Sequence, residues 1–456
     1  MPAPRRHPTT LALRLRRGLA RWRVAALLLL GAACGGAAQA QSLIELFDAA
    51  RGYDASYLGA RAQAESAQYR AAQADALLRP NVALTAGATR EESHVPVIGD
   101  LHSSTAQGAL QARHPLFNRA NNATIAQAYK ALDAAQADLD AAEQDLILRV
   151  TQAYFDVLAA QDTLGFTLAS KNAITEQLAA AKRNFEVGTA TITDTREAQA
   201  RFDLAVAQQI AAENDLKTKQ AALDQLVGRS GVTPRPLATP VELPASLVGD
   251  DVNEWLNRAS TQHPAVRKAV LALDIARLES DKARVARLPT VDLVGSLAGG
   301  RSVGNGAQPF PGNFTNASVG VQMSVPLYTG GSIENRLKET TVLEEKSRED
   351  LEAARRGVTL ATRQTYLGVQ SGRAQVKAFE AAESSNQLAL EATQLGYKVG
   401  VRVNIDVLNA QTQLYQTRRD LARARYDVLV NSLRLRQASG VLAPADLRPI
   451  NGLLAP

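Results

Sequence analysis

The sequence FEVGTATITD at residues 185–194 returns as YKVGVRVNID at residues 397–406, which is an offset of 212 residues. Both copies have an aromatic residue first, a Val-Gly pair third and fourth, and an aspartate last. Each copy interrupts a long alanine-rich stretch of the kind that favours a helix. The two stretches therefore predict two helical hairpins, each with its break inside one of the copies.

The repeat extends outward from these breaks. LRPNVAL at 78–84 resembles RLPTVDL at 287–293, and HPLF at 114–117 resembles VPLY at 325–328, with offsets of 209 and 211 residues. Three matches in the same order and at a nearly constant offset indicate a duplication. The sequence thus predicts a first structural repeat at 41–227, a proline-containing connecting segment at 228–250, a second repeat at 251–440 and a tail at 441–456.

Each predicted repeat begins with a helix, over residues 42–79 and 252–287. Pro80 and Pro289 are expected to end these helices, because proline lacks a backbone donor and restricts the residue before it. Apolar residues then alternate with period two, which is strand spacing. The alternating residues are Val82, Leu84, Ala86 and Ala88 in the first repeat and Val291, Leu293, Gly295 and Leu297 in the second.

Loops are predicted at 91–104 and 299–316, followed by returning strands that end at Pro115 and Pro326. A long helix is then predicted from about 119 to 183, with a shorter one after the break. Apolar residues at seven-residue spacing within these helices are typical of coiled coils. They include Ile125, Leu132, Leu139 and Leu146 in the first repeat and Leu414, Leu421, Val428 and Leu435 in the second.

The first 40 residues predict an export signal peptide. They combine an arginine-rich start, the short apolar run Val24–Leu30 and the A-x-A cleavage pattern Ala38–Ala40, which places the mature start near Gln41. A membrane anchor would need roughly 20 apolar residues. Lipid attachment at Cys34, the only cysteine, is an alternative on the loose match LGAAC.

The net charge of +6 belongs to this segment, because residues 41–456 hold 44 basic and 45 acidic side chains. A near-neutral mature chain gives no support to a nucleic-acid partner. No nucleotide-binding or zinc-protease motif is present, and the histidines after residue 40 are scattered. The sequence predicts no enzyme, no cofactor and no metal site.

The four predicted strands have a membrane-spanning length, but they cannot close a barrel by themselves. An open sheet edge in lipid leaves backbone groups unsatisfied, so several chains must contribute strands to one barrel. The alternative to a membrane barrel is that the strands form two soluble β-hairpins on a coiled-coil rod. In that case the chain would be a soluble periplasmic adaptor or scaffold.

With these features the sequence resembles the TolC family of outer-membrane exit ducts. The resemblance rests on NFEVG at 184–188 with ITD at 192–194, on GYKVGVRVNIDVLNA at 396–410, on TQAYFDVL at 151–158 and on VPLYTGG at 325–331. It implies an α+β membrane protein: a homotrimer with a 12-stranded outer-membrane β-barrel, four strands per chain, continuous with a long periplasmic coiled-coil barrel of α-helices.

The resemblance also implies partners and a function. A periplasmic adaptor (membrane fusion) protein and an inner-membrane transporter of the ABC or RND type would dock at the periplasmic tip, and outer-membrane lipid would surround the barrel. Secreted protein, small toxic molecules or both would leave the cell through the duct. The match at the gate favours the general or protein-secreting branch.

The same resemblance implies a gate at the helix breaks. Asp406 would form a ring of three carboxylates that attracts cations, while Asn409 stands where the family pattern has a second aspartate, so cation block should be weaker. Asp194 and Thr193 would face Tyr397 and Arg402 in links that hold the tip closed. Other roles stay open: helix N-caps for both aspartates, a solvated charge for Arg402 and core packing for Tyr397.

Overall fold

The structure, a computed structural model, describes residues 40–238, 251–306 and 311–455. The predicted signal peptide lies outside the described residues except for Ala40, and so do residues 239–250 of the predicted connecting segment. The elements follow in chain order as α1 (Leu43–Arg51), α2 (Ala55–Asp75), β1 (Asn81–Val95), β2 (Gly99–Phe117), α3 (Arg119–Glu186), α4 (Ile192–Val227), α5 (Val252–Gln262), α6 (Pro264–Val285), β3 (Thr290–Val303), β4 (Gly312–Ser324), α7 (Ser332–Lys398), α8 (Asn404–Ala438) and α9 (Leu447–Asn451). Short 3-10 turns at Ala76–Leu78 and Pro444–Asp446 precede β1 and α9.

Two long helices set the dimensions of the chain. α3 has 68 residues and α7 has 67, so each is roughly 100 Å long at a rise of about 1.5 Å per residue. Each turns back into a shorter helix, α4 or α8, which packs along it. The short helices α2 and α6 pack along α3, and α6 also packs along α7. The helices therefore form a long bundle with the sheet at one end.

The single helices predicted at 42–79 and 252–287 are wrong, because each is broken once. α1 ends before Gly52, and the Asp54 carboxylate caps the start of α2 by accepting from the backbone N–H of Tyr57 at 2.8 Å. α5 ends at Gln262, and His263 separates it from α6, whose first residue is Pro264. Proline has no N–H to continue the preceding helix but fits a first helical position.

The four strands form one antiparallel sheet in the order β1-β2-β3-β4. The pairing aligns residues of like polarity in rows across the sheet. An apolar row consists of Leu84, Leu110, Leu297 and Ala317, and the adjacent row consists of Ala83, Gln111, Ser296 and Ser318. Because neighbouring residues of a strand point to opposite faces, the sheet has one apolar and one polar face.

The predicted loops at 91–104 and 299–316 are too long. β1 and β2 remain paired as far as Val95 and Gly99, so only residues 96–98 connect them. β3 likewise continues to Val303, and β4 begins at Gly312. The strand ends escaped prediction because they consist mostly of polar residues and glycine, with too few apolar residues to show the alternation that marks a strand. β2 also continues past Pro115 to Phe117, with a shift in register between these residues.

The largest hydrophobic cluster lies about half-way along the bundle, where α1, α3, α4, α7, α8 and α9 meet. Tyr154 and Phe155 of α3 are almost completely buried there, and the Phe155 ring stacks on Tyr426 of α8 at 5.5 Å. The Tyr154 hydroxyl donates to the backbone oxygen of Arg235 at 2.9 Å. Smaller clusters continue toward the far end of the helices, where the candidate site lies.

Candidate functional site: the turns at the helix ends

The two helix breaks form turns at the end of the bundle that is opposite the sheet. The first joins α3 to α4 and the second joins α7 to α8. Gly188 and Gly400 hold the same position in the two turns, with φ angles of 75° and 82°. A side chain rarely adopts this conformation, so glycine is required at both positions. The duplicated Val-Gly pair is therefore explained by the backbone.

The backbone hydrogen bonds of the two turns also correspond. In the first turn, the N–H groups of Thr189 and Ala190 both donate to the oxygen of Asn184, at 2.8 and 3.2 Å. In the second, the N–H groups of Val401 and Arg402 both donate to the oxygen of Gly396, at 2.9 and 3.2 Å. The turns share one conformation, so their functional difference must come from their side chains.

The helix caps provide the first difference. Thr191 is the N-cap of α4, and its hydroxyl accepts from the N–H of Asp194 while the Asp194 carboxylate accepts from the N–H of Thr191 at 3.0 Å. Val403 is the N-cap of α8 and makes no side-chain cap. Neither Asp194 nor Asp406 is itself an N-cap, so that alternative is wrong; each is the third residue of its helix.

Because Val403 offers no hydroxyl, the Asp406 carboxylate is left out of any capping box. It pairs instead with the Arg402 guanidinium, with 3.6 Å between Nη1 and Oδ2. About a third of the Asp406 side chain is exposed, against 62% for Arg402. The Arg402 side chain lies over Gly396, where an added Cβ would come within 2.8 Å of its Cγ. Gly396 thus leaves room for this arrangement.

Tyr397 lies beside the second turn and contacts the first. Its hydroxyl accepts from the Asn184 side-chain amide at 3.1 Å, and its ring packs against the cluster formed by Leu390, Val407 and Leu414. Tyr397 therefore contributes both to packing and to a link between the two repeats. Asn184 directly precedes the repeated sequence at 185–194, and its counterpart before the second copy is Gly396, so the repeat did not single out its side chain.

Asn409 and Thr193 complete the predicted set. Asn409 lies one turn after Asp406 on α8, and its side-chain oxygen accepts from Arg201 of α4 at 2.9 Å. Thr193 is exposed and makes no side-chain hydrogen bond within the described part of the chain. Sequence reasoning missed Arg201. Its position seven residues after Asp194 places it on the same face of α4, and this spacing was a usable signal.

The structure brings the six predicted residues into one region, with different partners from those expected. Asp194 bonds to Thr191 and Arg402 pairs with Asp406, so an Asp194–Arg402 pair is not formed among the described residues. The Tyr397 hydroxyl meets Asn184 in place of Asp194. The arrangement gives a carboxylate with a basic neighbour at the turn, and two polar links between the repeats.

Apolar side chains are also exposed at this end of the bundle. Val187, Val399 and Val401 are each at least 65% exposed. None of the helices in the described ranges is both long and apolar enough to cross a membrane.

Comparison with known proteins identifies the class to which this arrangement belongs. The family model described as "Outer membrane efflux protein" matches residues 47–229 and 255–441, so the chain belongs to the outer membrane efflux protein family. The matched segments cover most of both repeats.

Among its relatives, the outer membrane protein TolC of Vibrio cholerae is 33% identical over 414 residues, covering 90% of this chain and 93% of the relative. The alkaline protease secretion protein AprF of Pseudomonas aeruginosa is 35% identical over 315 residues, covering 67% of this chain and 63% of the relative. The solved outer membrane protein VceC of Vibrio cholerae has the same fold, with a TM-score of 0.72 at 20% identity over 87% of this chain and 96% of that chain.

These matches confirm the predicted family and fold class, and with them the compartment and the general function. The protein is a TolC-family exit duct of the outer membrane, of the class that serves type I secretion and efflux, with its helical part in the periplasm. CmeC of Campylobacter jejuni, a solved structure with the same fold, is an outer membrane channel. The family match decides against the alternative of a periplasmic adaptor or scaffold.

Proposed function

We propose that three copies of this chain form a duct that receives substrate from an inner-membrane transporter through a periplasmic adaptor and is closed at the tip by Asp406. The sheet supports the number of chains. β1 and β4 are its edges, with 15 and 13 residues. Each backbone group left unpaired in lipid costs several kcal/mol. Pairing β4 of one copy with β1 of the next removes every edge and puts the apolar face against outer-membrane lipid.

The partners are inferred from the tip and from the relatives. The exposed valines of both turns offer an apolar surface that a partner protein could cover. Similarity to AprF of Pseudomonas aeruginosa and to the proteases secretion protein PrtF of Dickeya chrysanthemi favours protein as substrate. An ABC-type transporter fits this use. An RND-type partner and small toxic molecules belong to the efflux use of the same duct.

The state of Asp406 is the observation that carries the proposed gate. The two turns share a backbone conformation, yet Asp194 is engaged in a capping box and Asp406 is not. A carboxylate that is free of the cap can turn toward the pore and bind cations with its two symmetry mates. Asn409 adds no second charged ring, so block by divalent cations is expected to be modest.

The experiment is single-channel recording of the purified protein in planar bilayers. Asp406→Ala should reduce block by a divalent cation by about tenfold, the effect expected from losing roughly 1.4 kcal/mol of ion binding. Thr193→Ala is the matched control at the same tip, since Thr193 carries no charge, and should leave the block unchanged. Equal block in wild type and Asp406→Ala would refute the ring.

A further inference from the structure

Arg201 of α4 is a basic residue at the tip, beside Asn409 and outside the set of residues assigned to the gate above. Its Nη2 donates to Oδ1 of Asn409 at 2.9 Å. This is the only side-chain hydrogen bond between α4 and α8 in the described ranges. Apolar contacts hold the two helices together beside it, since Ala198, Ala205 and Leu408 belong to one buried cluster. Packing between α4 and α8 therefore holds the backbones of Arg201 and Asn409 beside each other.

The charge of Arg201 is not neutralised. No carboxylate lies within ion-pair distance of it among residues 40–238, 251–306 and 311–455, whereas Arg402, in the turn before α8, pairs with Asp406. A neutral amide accepts its hydrogen bond and leaves its full positive charge in place. Arg201 is therefore a cation held in a fixed position at the tip.

This cation lies close to the carboxylate of the proposed ring. Asp406 and Asn409 are three residues apart on α8, so they share a face and are separated by about 4.5 Å along the helix axis. A charge bound at Asn409 is therefore one helical turn from the Asp406 position, a spacing at which charges still interact at physiological salt, where the screening length is roughly 8 Å. Asp406 thus has Arg402 four residues before it, in the turn that leads into α8, and the Arg201–Asn409 pair one helical turn after it.

We infer that Arg201 is a further residue of the gate and sets the ion selectivity of the duct by holding a positive charge at the level of Asn409. This inference rests on the proposed gate. In a trimer the Asp406 level would carry three carboxylates and the Asn409 level three guanidinium groups. A ring of carboxylates attracts cations and a ring of basic groups attracts anions, so the second level opposes the first.

The test is the ratio of chloride to potassium permeability, measured from the reversal potential of the purified trimer in planar bilayers under a KCl gradient. Arg201→Gln removes the charge and retains a donor for Asn409, and it should lower the ratio by about twofold or more. Arg201→Lys keeps the charge and should preserve the ratio. Arg196→Gln is the matched control, because Arg196 is an exposed arginine of the same helix, and should leave the ratio unchanged.

Two results would overturn the inference: an unchanged ratio in Arg201→Gln, or an equal fall in Arg196→Gln. Asp406→Asn in the same assay separates this inference from the proposed gate. A raised ratio in Asp406→Asn together with no effect of Arg201→Gln would leave the gate standing and remove Arg201 from it. No effect of either variant would reject both. Trimer content on a non-denaturing gel shows that each variant has assembled.

Discussion

At the scale of the residue, one hydroxyl group distinguishes the two tip turns. Their backbones are alike, but Thr191 caps α4 with the help of Asp194, whereas Val403 leaves α8 without a side-chain cap. A good cap stabilises a helix end by about 1 kcal/mol. The first turn of α8 should therefore open more readily than the first turn of α4, and the carboxylate that can move lies on the weaker end.

Exchanging the two cap residues tests this difference. Thr191→Val should lower amide hydrogen-exchange protection at residues 191–195 about fivefold, since it removes roughly 1 kcal/mol of capping. Val403→Thr is the matched reverse change and should raise protection at residues 403–407, because its hydroxyl and Asp406 can then form a capping box. Unchanged exchange in both variants, measured by mass spectrometry, would show that the caps do not set the stability of the tip.

A second residue-scale prediction concerns the pair formed by Tyr426 and Asp162. The Tyr426 hydroxyl donates to the Asp162 carboxylate at 2.6 Å. Burial raises the pKa of Asp162, and the hydrogen bond from Tyr426 partly offsets this. Tyr426→Phe should cost about 1–3 kcal/mol at about pH 7, because it leaves a half-buried carboxylate without its donor.

The loss of stability caused by Tyr426→Phe should become smaller as the pH falls. The folded-state pKa of Asp162 lies above its unfolded value, so the carboxylate takes up a proton in the folded protein first, and the penalty for burying its charge disappears as pH falls through that pKa. Thermal unfolding followed by circular dichroism at about pH 7 and about pH 5 measures this. Tyr415→Phe is the control, since the Tyr415 hydroxyl makes no hydrogen bond within the described residues. A stability difference between wild type and Tyr426→Phe that grows at low pH would contradict the prediction.

At the scale of the element, the sequence predicted where helices and strands lie along the chain better than which side chains contact each other. β1 begins at Asn81, directly after Pro80, and β3 begins at Thr290, directly after Pro289. The heptad residues Leu414 and Leu421 are buried on α8. These features depend on local chemistry and periodicity. The contacts of Tyr397 and Arg402 depend on side-chain reach across a hairpin and on the absence of a cap at Val403. A linear pattern does not contain that information.

The next prediction concerns the contact between the end of α8 and His263, the residue that separates α5 from α6. Gly440 follows α8 with a φ of 76°, and an added Cβ would lie 2.3 Å from the Cα of His263. Gly440→Ala should therefore cost about 1–2 kcal/mol of backbone strain and about 1–3 kcal/mol more from overpacking.

Gly231→Ala provides the control for backbone strain alone. Gly231 has a φ of 73°, and nothing lies within 4 Å of its added Cβ. Thermal unfolding should thus show a clearly larger loss for Gly440→Ala than for Gly231→Ala. Equal losses would mean that the α8 end and the α5–α6 break are not packed as tightly as the structure shows.

At the scale of the whole molecule, the polarity of the sheet decides whether the chain can enter the outer membrane. Leu110 and Gln111 are neighbours on the central strand β2, and they belong to the apolar and the polar row respectively. In the proposed trimer the apolar row faces lipid and the polar row faces the aqueous interior. A charge on the lipid side of a membrane strand costs about 2–4 kcal/mol near the midplane, whereas interior positions tolerate charge.

The difference in free-energy cost between a lipid-facing and an interior charge is multiplied in the proposed trimer, because each trimer contains every substitution three times. Leu110→Arg should therefore remove the trimer from the outer-membrane fraction, while Gln111→Arg, a change of similar size on the next residue, should leave it there. Fractionation followed by a gel of unheated samples measures both variants. If Gln111→Arg prevented assembly and Leu110→Arg did not, the face assigned to lipid would be the wrong one. A wild-type protein recovered only as a periplasmic monomer would contradict the trimeric assembly itself.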